Sequence, residues 1–282
     1  MLDAQAHADV LNQALPYIQS FRGQTFVVKY GGSAMRDHSL LNGVIRNVLL
    51  LQLVGIKVIL VHGGGPEIDT WLGRLGIEKK TLNGLRVTDS QTRDVAMMVL
   101  AGHLNKQLVA AIGDAGQPAI GICGGDLRMV LATKKKQPDL GFVGEICSVD
   151  AQWIERFWDA GVVPVISSLA LGFDGEYYNV NADQMASAFA VACNAHALVY
   201  LTDVAGVKDG DGTVLRWLDV NAIAEMVEAA TVSGGMLPKL EACTSALKKG
   251  VTRVRILPAS RAEVLPGFFT HPIDCGTEVI AS

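Results

Sequence analysis

Two lysines sit where their charge could do chemistry. Lys29 lies in a short apolar run, TFVVKYGG (25–32), and two residues later come Gly31 and Gly32. Lys239 stands at the start of a helical stretch, just after Gly234-Gly235 in TVSGGMLPKLEA (231–242). A cation at a helix N-terminus opposes the macrodipole, so its position is better explained if an anion shares the place. A third feature, His62-Gly63-Gly64-Gly65-Pro66, ends another apolar run. Bare backbone there can aim N–H groups at an anion while the next helix adds its dipole. The same glycines would also serve simply as tight strand-to-helix turns, and both readings stay open.

Further polar groups fall between these points. Arg86, in NGLRVTD (83–89), could fork onto a carboxylate or phosphate, or form an ordinary surface ion pair. In YYNVNADQMA (177–186), Asn179 and Asn181 alternate around Val180 before Asp183 opens an Ala-rich helix. Short polar side chains at a strand end suit a ligand, although Asp183 could equally cap the helix. YLTDVAGV (200–207) places Thr202 and Asp203 at the end of a buried run, with Gly206 shortly after. Neither GxxxxGK[ST] nor GxGxxG is met, there is no GxSxG, and the six histidines do not cluster. The inventory favours handling of anions by cations and backbone amides over hydrolytic or metal-redox chemistry.

Apolar runs ending in glycines or polar residues must position these groups. They are TFVVKYGG (25–32), KVILVHGGG (57–65), PAIGICGG (118–125), VVPVISS (162–168), ALVYLTDV (197–204) and RVRILP (253–258). Near-continuous apolar strands alternating with helices predict an α/β fold, a three-layer αβα sandwich around an open, mainly parallel sheet. In such sheets ligands bind beyond the carboxyl ends of the strands, where the unusual residues lie. Asp150 and Asp219 are expected N-caps, with Gly161 closing the helix that Asp150 begins. Residues 8–21 form an amphipathic pattern with Pro16 inside it, expected to be kinked or interrupted there.

The chain of 282 residues is 50% hydrophobic and 18% charged, enough for a large core. A net charge of −4 offers no basic field for nucleic acid or a membrane surface. Five scattered cysteines form no CxxC, and no signal peptide or 18-residue apolar span free of glycine and charge is seen. A cytoplasmic location is expected.

KYGGSAM, VHGGGPEID, NGLRVTD, NVNADQ, LTDVAGV and GGMLPK follow one another from about residue 24 onward. Together they resemble the amino acid kinase family, and NGLRVTD with NVNAD resembles its branch acting on N-acetyl-L-glutamate. That resemblance implies ATP-dependent phosphorylation of the substrate's side-chain carboxylate, in arginine biosynthesis, with Mg2+ entering bound to ATP. It implies Lys29 and Lys239 as stabilisers of the transferring phosphoryl group, oriented by Asp183. Gly64, Gly65, Arg86, Asn179 and Asn181 would bind the substrate. The nucleotide would lie near Gly31, Gly32, Thr202, Asp203, Gly206, Lys208, Thr231 and Ser233. Residues 1–23 would be an N-terminal helix for oligomerisation, 24–178 a substrate lobe and 179–282 a nucleotide lobe.

A homodimer or homohexamer is implied, and a PII-type regulatory protein is a possible partner within this branch. Arginine-inhibited members carry a His and, five residues on, a Glu; Ala262 and Gly267 stand there, so arginine feedback is not carried over. The alternatives are a kinase for N-acetyl-L-2-aminoadipate, from lysine biosynthesis, and a non-catalytic arginine-sensing protein of the same fold. Retention of Lys29, Asp183 and Lys239 speaks against the second.

Overall fold

Six apolar runs lie side by side in one sheet. A computed structural model describes residues 4–31, 35, 37–82, 85–229, 231–232, 234–264 and 275–281. Helix α1 (Ala4–Phe21) leads into β1 (Thr25–Tyr30), α2 (His38–Leu53), β2 (Lys57–His62) and α3 (Gly65–Arg74). A short hairpin, β3 (Thr81–Leu82) with β4 (Leu85–Arg86), precedes α4 (Ser90–Met97), a π-helical segment (Met98–Leu104) and α5 (Asn105–Asp114). Then come β5 (Ala119–Cys123), β6 (Val130–Lys134), β7 (Gly144–Val149), α6 (Gln152–Asp159), β8 (Val163–Ser167), β9 (Leu169–Gly172) and β10 (Tyr177–Asn179). The remainder is α7 (Ala182–Ala192), β11 (Ala197–Thr202), β12 (Trp217–Asp219), α8 (Val220–Glu228), α9 (Met236–Lys248), β13 (Arg253–Pro258) and β14 (Thr277–Ile280).

The main sheet has the order β12-β14-β13-β11-β1-β2-β8-β5. The six runs read from the sequence are its mutually parallel strands β13, β11, β1, β2, β8 and β5. Only β14 runs against its neighbour β13, with β12 parallel to it. A second sheet, β10-β9-β6-β7, stands apart. The apolar reading did not separate its strands, because they are short and β6, β7 and β10 are partly exposed; in β7 only Gly144 is buried.

Alternation along a strand sends successive side chains to opposite faces. Val27, Ile59, Leu198 and Tyr200 meet Met185 and Phe189 of α7 and Leu240 of α9 on one face. Phe26, Val28, Tyr30 and Leu60 meet Val44 and Val48 of α2 and Leu108 and Ile112 of α5 on the other. Each fully buried Leu, Ile or Phe contributes about 1.5–3 kcal/mol relative to exposure, so both helical layers are held mainly by these contacts. The run Ser90–Asp114 is long and apolar enough to cross a membrane by length and composition alone, yet, in line with the sequence reading, it is interrupted by Arg93, Asp94, Gly102, Lys106 and Gly113. Its Val95, Val99, Leu100 and Leu104 instead fill a third core cluster with Ile68 and Leu72 of α3.

Helix α1 continues through Pro16 rather than breaking there. Its Leu11 is 70% and its Leu15 48% exposed, so the apolar stripe is not covered by the chain's own core. Asp219 caps α8, accepting from Asn221 N and Ala222 N at 2.8 Å each. Asp150 falls one residue short of the cap of α6, which is Ala151, although its Oδ1 still accepts from Gln152 N at 3.1 Å. Gly161 follows that helix at φ +70°, as the closing turn requires.

Candidate active site

Lys29 shares its side of β1 with Val27, so strand alternation carries it toward α7 rather than α2. Its Nζ lies 3.0 Å from Asp183 Oδ1. Asp183 is in the first turn of α7, whose N-cap is Asn181: Asn181 Oδ1 accepts from Asp183 N at 2.8 Å and Gln184 N at 3.2 Å. The cap is thus supplied by the asparagine, and the aspartate carboxylate is left for other partners. Its Oδ2 accepts from Lys239 Nζ at 2.8 Å. Lys239 lies in the first turn of α9, with its ammonium 5.0 Å from the ring centre of Tyr200. The Tyr200 hydroxyl donates to Asp183 O at 3.2 Å, tying the same residue to β11.

Asp183 and Lys239 are each only 6% exposed. Burial alone would raise the Asp183 pKa, but the adjacent Lys29 and Lys239 outweigh it and hold the carboxyl below its ordinary value. Burial lowers the Lys29 pKa, and the attraction of Asp183 does not fully offset it. Two ammonium groups around one carboxylate make a positive cluster in a low-dielectric setting, where an added anion interacts strongly.

Beside this cluster is a cavity of about 210 Å³, lined by Lys29, Gly63, Gly64, Gly65, Arg86, Ser168, Asn179, Asn181 and Asp183, with Ile68 and Leu100 among its apolar members. The ladder of α3 begins with Glu67 N and Ile68 N donating to Gly64 O, so the Gly64 and Gly65 N–H groups precede it. An amide pair at a helix start facing a cavity is suited to an anion. At Gly64 a methyl group would collide with Leu104 and lie 2.8 Å from Leu100 Cδ2. At Gly31 it would lie 2.7 Å from Lys29 Nζ, so this glycine makes room for the ammonium.

Arg86 combines the two readings that its sequence context left open. It lines the cavity, donates from Nη2 to Gly65 O at 3.0 Å, and forms an ion pair with Asp69. Lys79 reaches the same aspartate at 2.9 Å. Thr202 ends β11 and donates from Oγ1 to Asp203 Oδ1 at 3.2 Å, and the charge of Asp203 acts on Lys29. Gly206 has φ +150°, and a side chain there would meet Val214 and Thr277. Lys208 and Thr231 lie on exposed turns, the first bridged to Val214 and the second donating to Met226 O, and neither lines the Lys29 cavity. Gly32, Ser233 and Gly267 lie outside the described residues, as does the side chain of Ala262.

Sequence reasoning missed Tyr200, Ser168, Asp69 and the capping role of Asn181. A hydroxyl within the apolar run ALVYLT was the available signal for Tyr200. Asp69, on the helix after the glycines, carried none.

The amino acid kinase family profile matches residues 24–258. The chain is 55% identical over 257 residues to an acetylglutamate kinase from Koribacter versatilis, covering 91% of this chain and 98% of that one. It is 54% identical over 258 residues to one from Acidobacterium capsulatum, covering 91% and 99%. Among solved structures, N-acetylglutamate synthase from Neisseria gonorrhoeae, complexed with coenzyme A and N-acetyl-glutamate, superposes with a TM-score of 0.84 at 26% identity. That match covers 98% of this chain and 63% of the synthase, so the chain spans under two thirds of that protein.

Proposed function

The chain belongs to the amino acid kinase family, and from that premise we propose that it phosphorylates the side-chain carboxylate of N-acetyl-L-glutamate with ATP, as an acetylglutamate kinase. Identity of 54–55% over nearly the full length of relatives bearing that name supports the substrate. The observation that carries the chemistry is the Lys29–Asp183–Lys239 cluster beside a glycine-lined cavity.

A glutamate side-chain carboxylate, with an ordinary pKa of about 4.3, is already ionised at neutral pH, so no general base is required. The obstacle is bringing one anion to another while charge spreads over the moving phosphoryl oxygens. Lys29 and Lys239 offset that charge, and Asp183 sets the separation and direction of their ammonium groups. The Gly64 and Gly65 amides hold the attacking carboxylate. Arg86 and Asn179 hold the α-carboxylate end, Arg86 using donors not given to Asp69, and Asn181 contributes its amide N–H groups beside them. Gly31, Gly32, Thr202, Asp203, Gly206, Lys208, Thr231 and Ser233 are assigned to the nucleotide side.

The metal comes with the substrate as MgATP. Among the described residues no three His, Cys, Asp or Glu gather to hold an ion. A hard octahedral cation of this kind takes phosphate oxygens and water as its main ligands. The same reading places the protein in the cytoplasm and in arginine biosynthesis. It assigns residues 24–178 to a substrate lobe, 179–282 to a nucleotide lobe, and the exposed stripe of α1 to assembly of a homohexamer from dimers. Light scattering that finds only dimers would sink the hexamer.

Hydroxylamine traps an acyl phosphate as a hydroxamate. With MgATP, a strong signal from N-acetyl-L-glutamate alone is expected. A dominant signal from N-acetyl-L-2-aminoadipate would reassign the substrate, a change of one methylene that pockets discriminate by only about 1–3 kcal/mol. No signal from either, in folded protein that binds ATP, would overturn the kinase reading.

A further inference from the structure

His62 ends β2 and is completely buried. It shares its strand face with Val58 and Leu60, so it lies on the side of α5, opposite the face that carries Lys29. Its Nδ1 is 3.0 Å from Gly63 O, the carbonyl at the head of the glycine loop. Its Nε2 is 3.1 Å from Nδ2 of Asn105, which is also completely buried. Asn105 Nδ2 donates in addition to Val165 O at 3.0 Å, and Asn105 Oδ1 accepts from Lys106 Nζ at 3.2 Å.

Counting donors decides the protonation of the ring. Reversing the Asn105 amide would turn its oxygen onto the Val165 carbonyl and its NH2 onto the Lys106 ammonium, so Nδ2 must face His62 and can only donate. His62 Nε2 is therefore an acceptor, and the proton sits on Nδ1, aimed at Gly63 O. Burial pushes the His62 pKa down to about 4, which keeps this neutral form at physiological pH.

The helix supplying Asn105 is irregular just before it. The π-helical segment ends at Leu104, and its Leu100 and Leu104 occupy the space that a side chain at Gly64 would need. Such segments are rare and frequent at functional sites. Here one stretch of helix bears on the glycine loop twice, by packing against Gly64 and by holding the histidine that holds Gly63. Gly121 of β5 completes the arrangement: a side chain there would collide with Asn105 Oδ1, and its carbonyl accepts from Lys106 Nζ at 2.7 Å.

We propose that His62 and Asn105 are positioning residues for the phosphoryl acceptor: Asn105 fixes the Nδ1–H form of His62, which anchors Gly63 and so aims the Gly64 and Gly65 amides. The proposal rests on the reading that those amides hold the attacking carboxylate.

The test has two parts. In wild-type protein with ¹⁵N-labelled histidine, long-range ¹H–¹⁵N spectra at neutral pH should show His62 as the Nδ1–H tautomer, with the signal assigned by its loss in His62→Gln. An Nε2–H or doubly protonated ring overturns the proposal. In the hydroxamate assay, His62→Leu and Asn105→Ala should lose about 10- to 100-fold in kcat/KM for N-acetyl-L-glutamate while the KM for ATP is unchanged, the scale expected of a small misplacement. His62→Gln, which keeps an N–H donor, should recover part of the loss. Wild-type kinetics in folded His62→Leu, or losses that track melting temperature and affect both substrates alike, overturn it. If His62→Leu and Asn105→Ala do not fold, the tautomer of the wild-type ring and the kinetics of His62→Gln, the variant that keeps an N–H donor, still decide. Wild-type protein inactive on N-acetyl-L-glutamate would refute the substrate reading, a failure distinct from a wrong tautomer.

Discussion

Lys239 and Asp183 meet at 2.8 Å across 56 residues of sequence, and the other oxygen of that carboxylate is 3.0 Å from Lys29. One anion thus holds two cations that come from a strand and a helix on either side of it. Asp183→Asn keeps the shape and removes the charge, leaving two buried ammonium groups facing each other. Turnover should fall about 100-fold or more, the usual scale for a lost charge-stabilising contact. Stability should fall by about 3–5 kcal/mol, as when one partner of a buried ion pair is removed. Hydroxamate kinetics and thermal melting measure the two effects. Full turnover in a folded variant would show that the carboxylate does not organise the lysines.

Gly31→Ala should harm catalysis more than folding. The new methyl group would lie 2.7 Å from Lys29 Nζ and 3.0 Å from Lys29 Cε, so the flexible end of the lysine gives way rather than the backbone. A drop of about 10-fold or more in kcat, from displacement of the ammonium, is expected with little change in melting temperature. Unchanged kcat would contradict the assigned role of Lys29.

At Gly64 the obstruction is packed leucine. Gly64→Ala should cost about 1–3 kcal/mol of stability through overpacking, and raise the KM for N-acetyl-L-glutamate. Leu104→Ala in the same chain removes the nearest colliding group and should restore part of both. The pair is compared by melting and by steady-state kinetics. Absence of any coupling between them would mean that the loop does not rest on the π-helical segment.

Alkaline pH gives a separate prediction. Burial lowers the Lys29 pKa from the ordinary 10.5, with Asp183 opposing the shift. The rate needs the charged ammonium, so kcat should decline through an alkaline limb below that ordinary value. Lys29→Arg, whose charge persists at such pH, should lose rate but also lose the limb. The sign for stability differs. Between the folded and ordinary values the unfolded chain retains a proton that folded Lys29 has released, so the Lys29 contribution to stability rises with pH in that window. Asp183 acts at the acid end: its lowered pKa contributes stability above the ordinary carboxyl value of 3.8, lost as pH falls through the folded value. Kinetic and melting profiles against pH check both.

The parallel core was legible because its strands are buried on both faces and read as unbroken apolar runs; β11, ALVYLT, is buried throughout. Strands such as β7, GEICSV, lack such a run and left no comparable trace. At the site, Lys29, Asp183 and Lys239 announced themselves as charges at the ends of apolar elements. Their joint contact was expected only through the family resemblance, since spacing does not tell which helices lie together. Asn181 rather than Asp183 as the cap follows from side-chain geometry over two residues, finer than composition resolves. Asn105 is a single amide in a helix 43 residues from His62, and only the packing of α5 against the sheet brings them together.

The reversal at β14 bears on how the molecule is made. Among the described residues, strand β12 joins the main sheet only through β14, pairing Trp217 with Glu278 and Asp219 with Ile280, whereas β14 also pairs with β13. During N-to-C synthesis, residues 217–219 must therefore wait for residues 277–280 before they find their seat. In the interval the growing chain carries an open β edge at β13, a template for faulty pairing with a neighbouring nascent chain. Assembly of the central strands thus precedes closure of this margin, which makes β14 the latch of the nascent sheet.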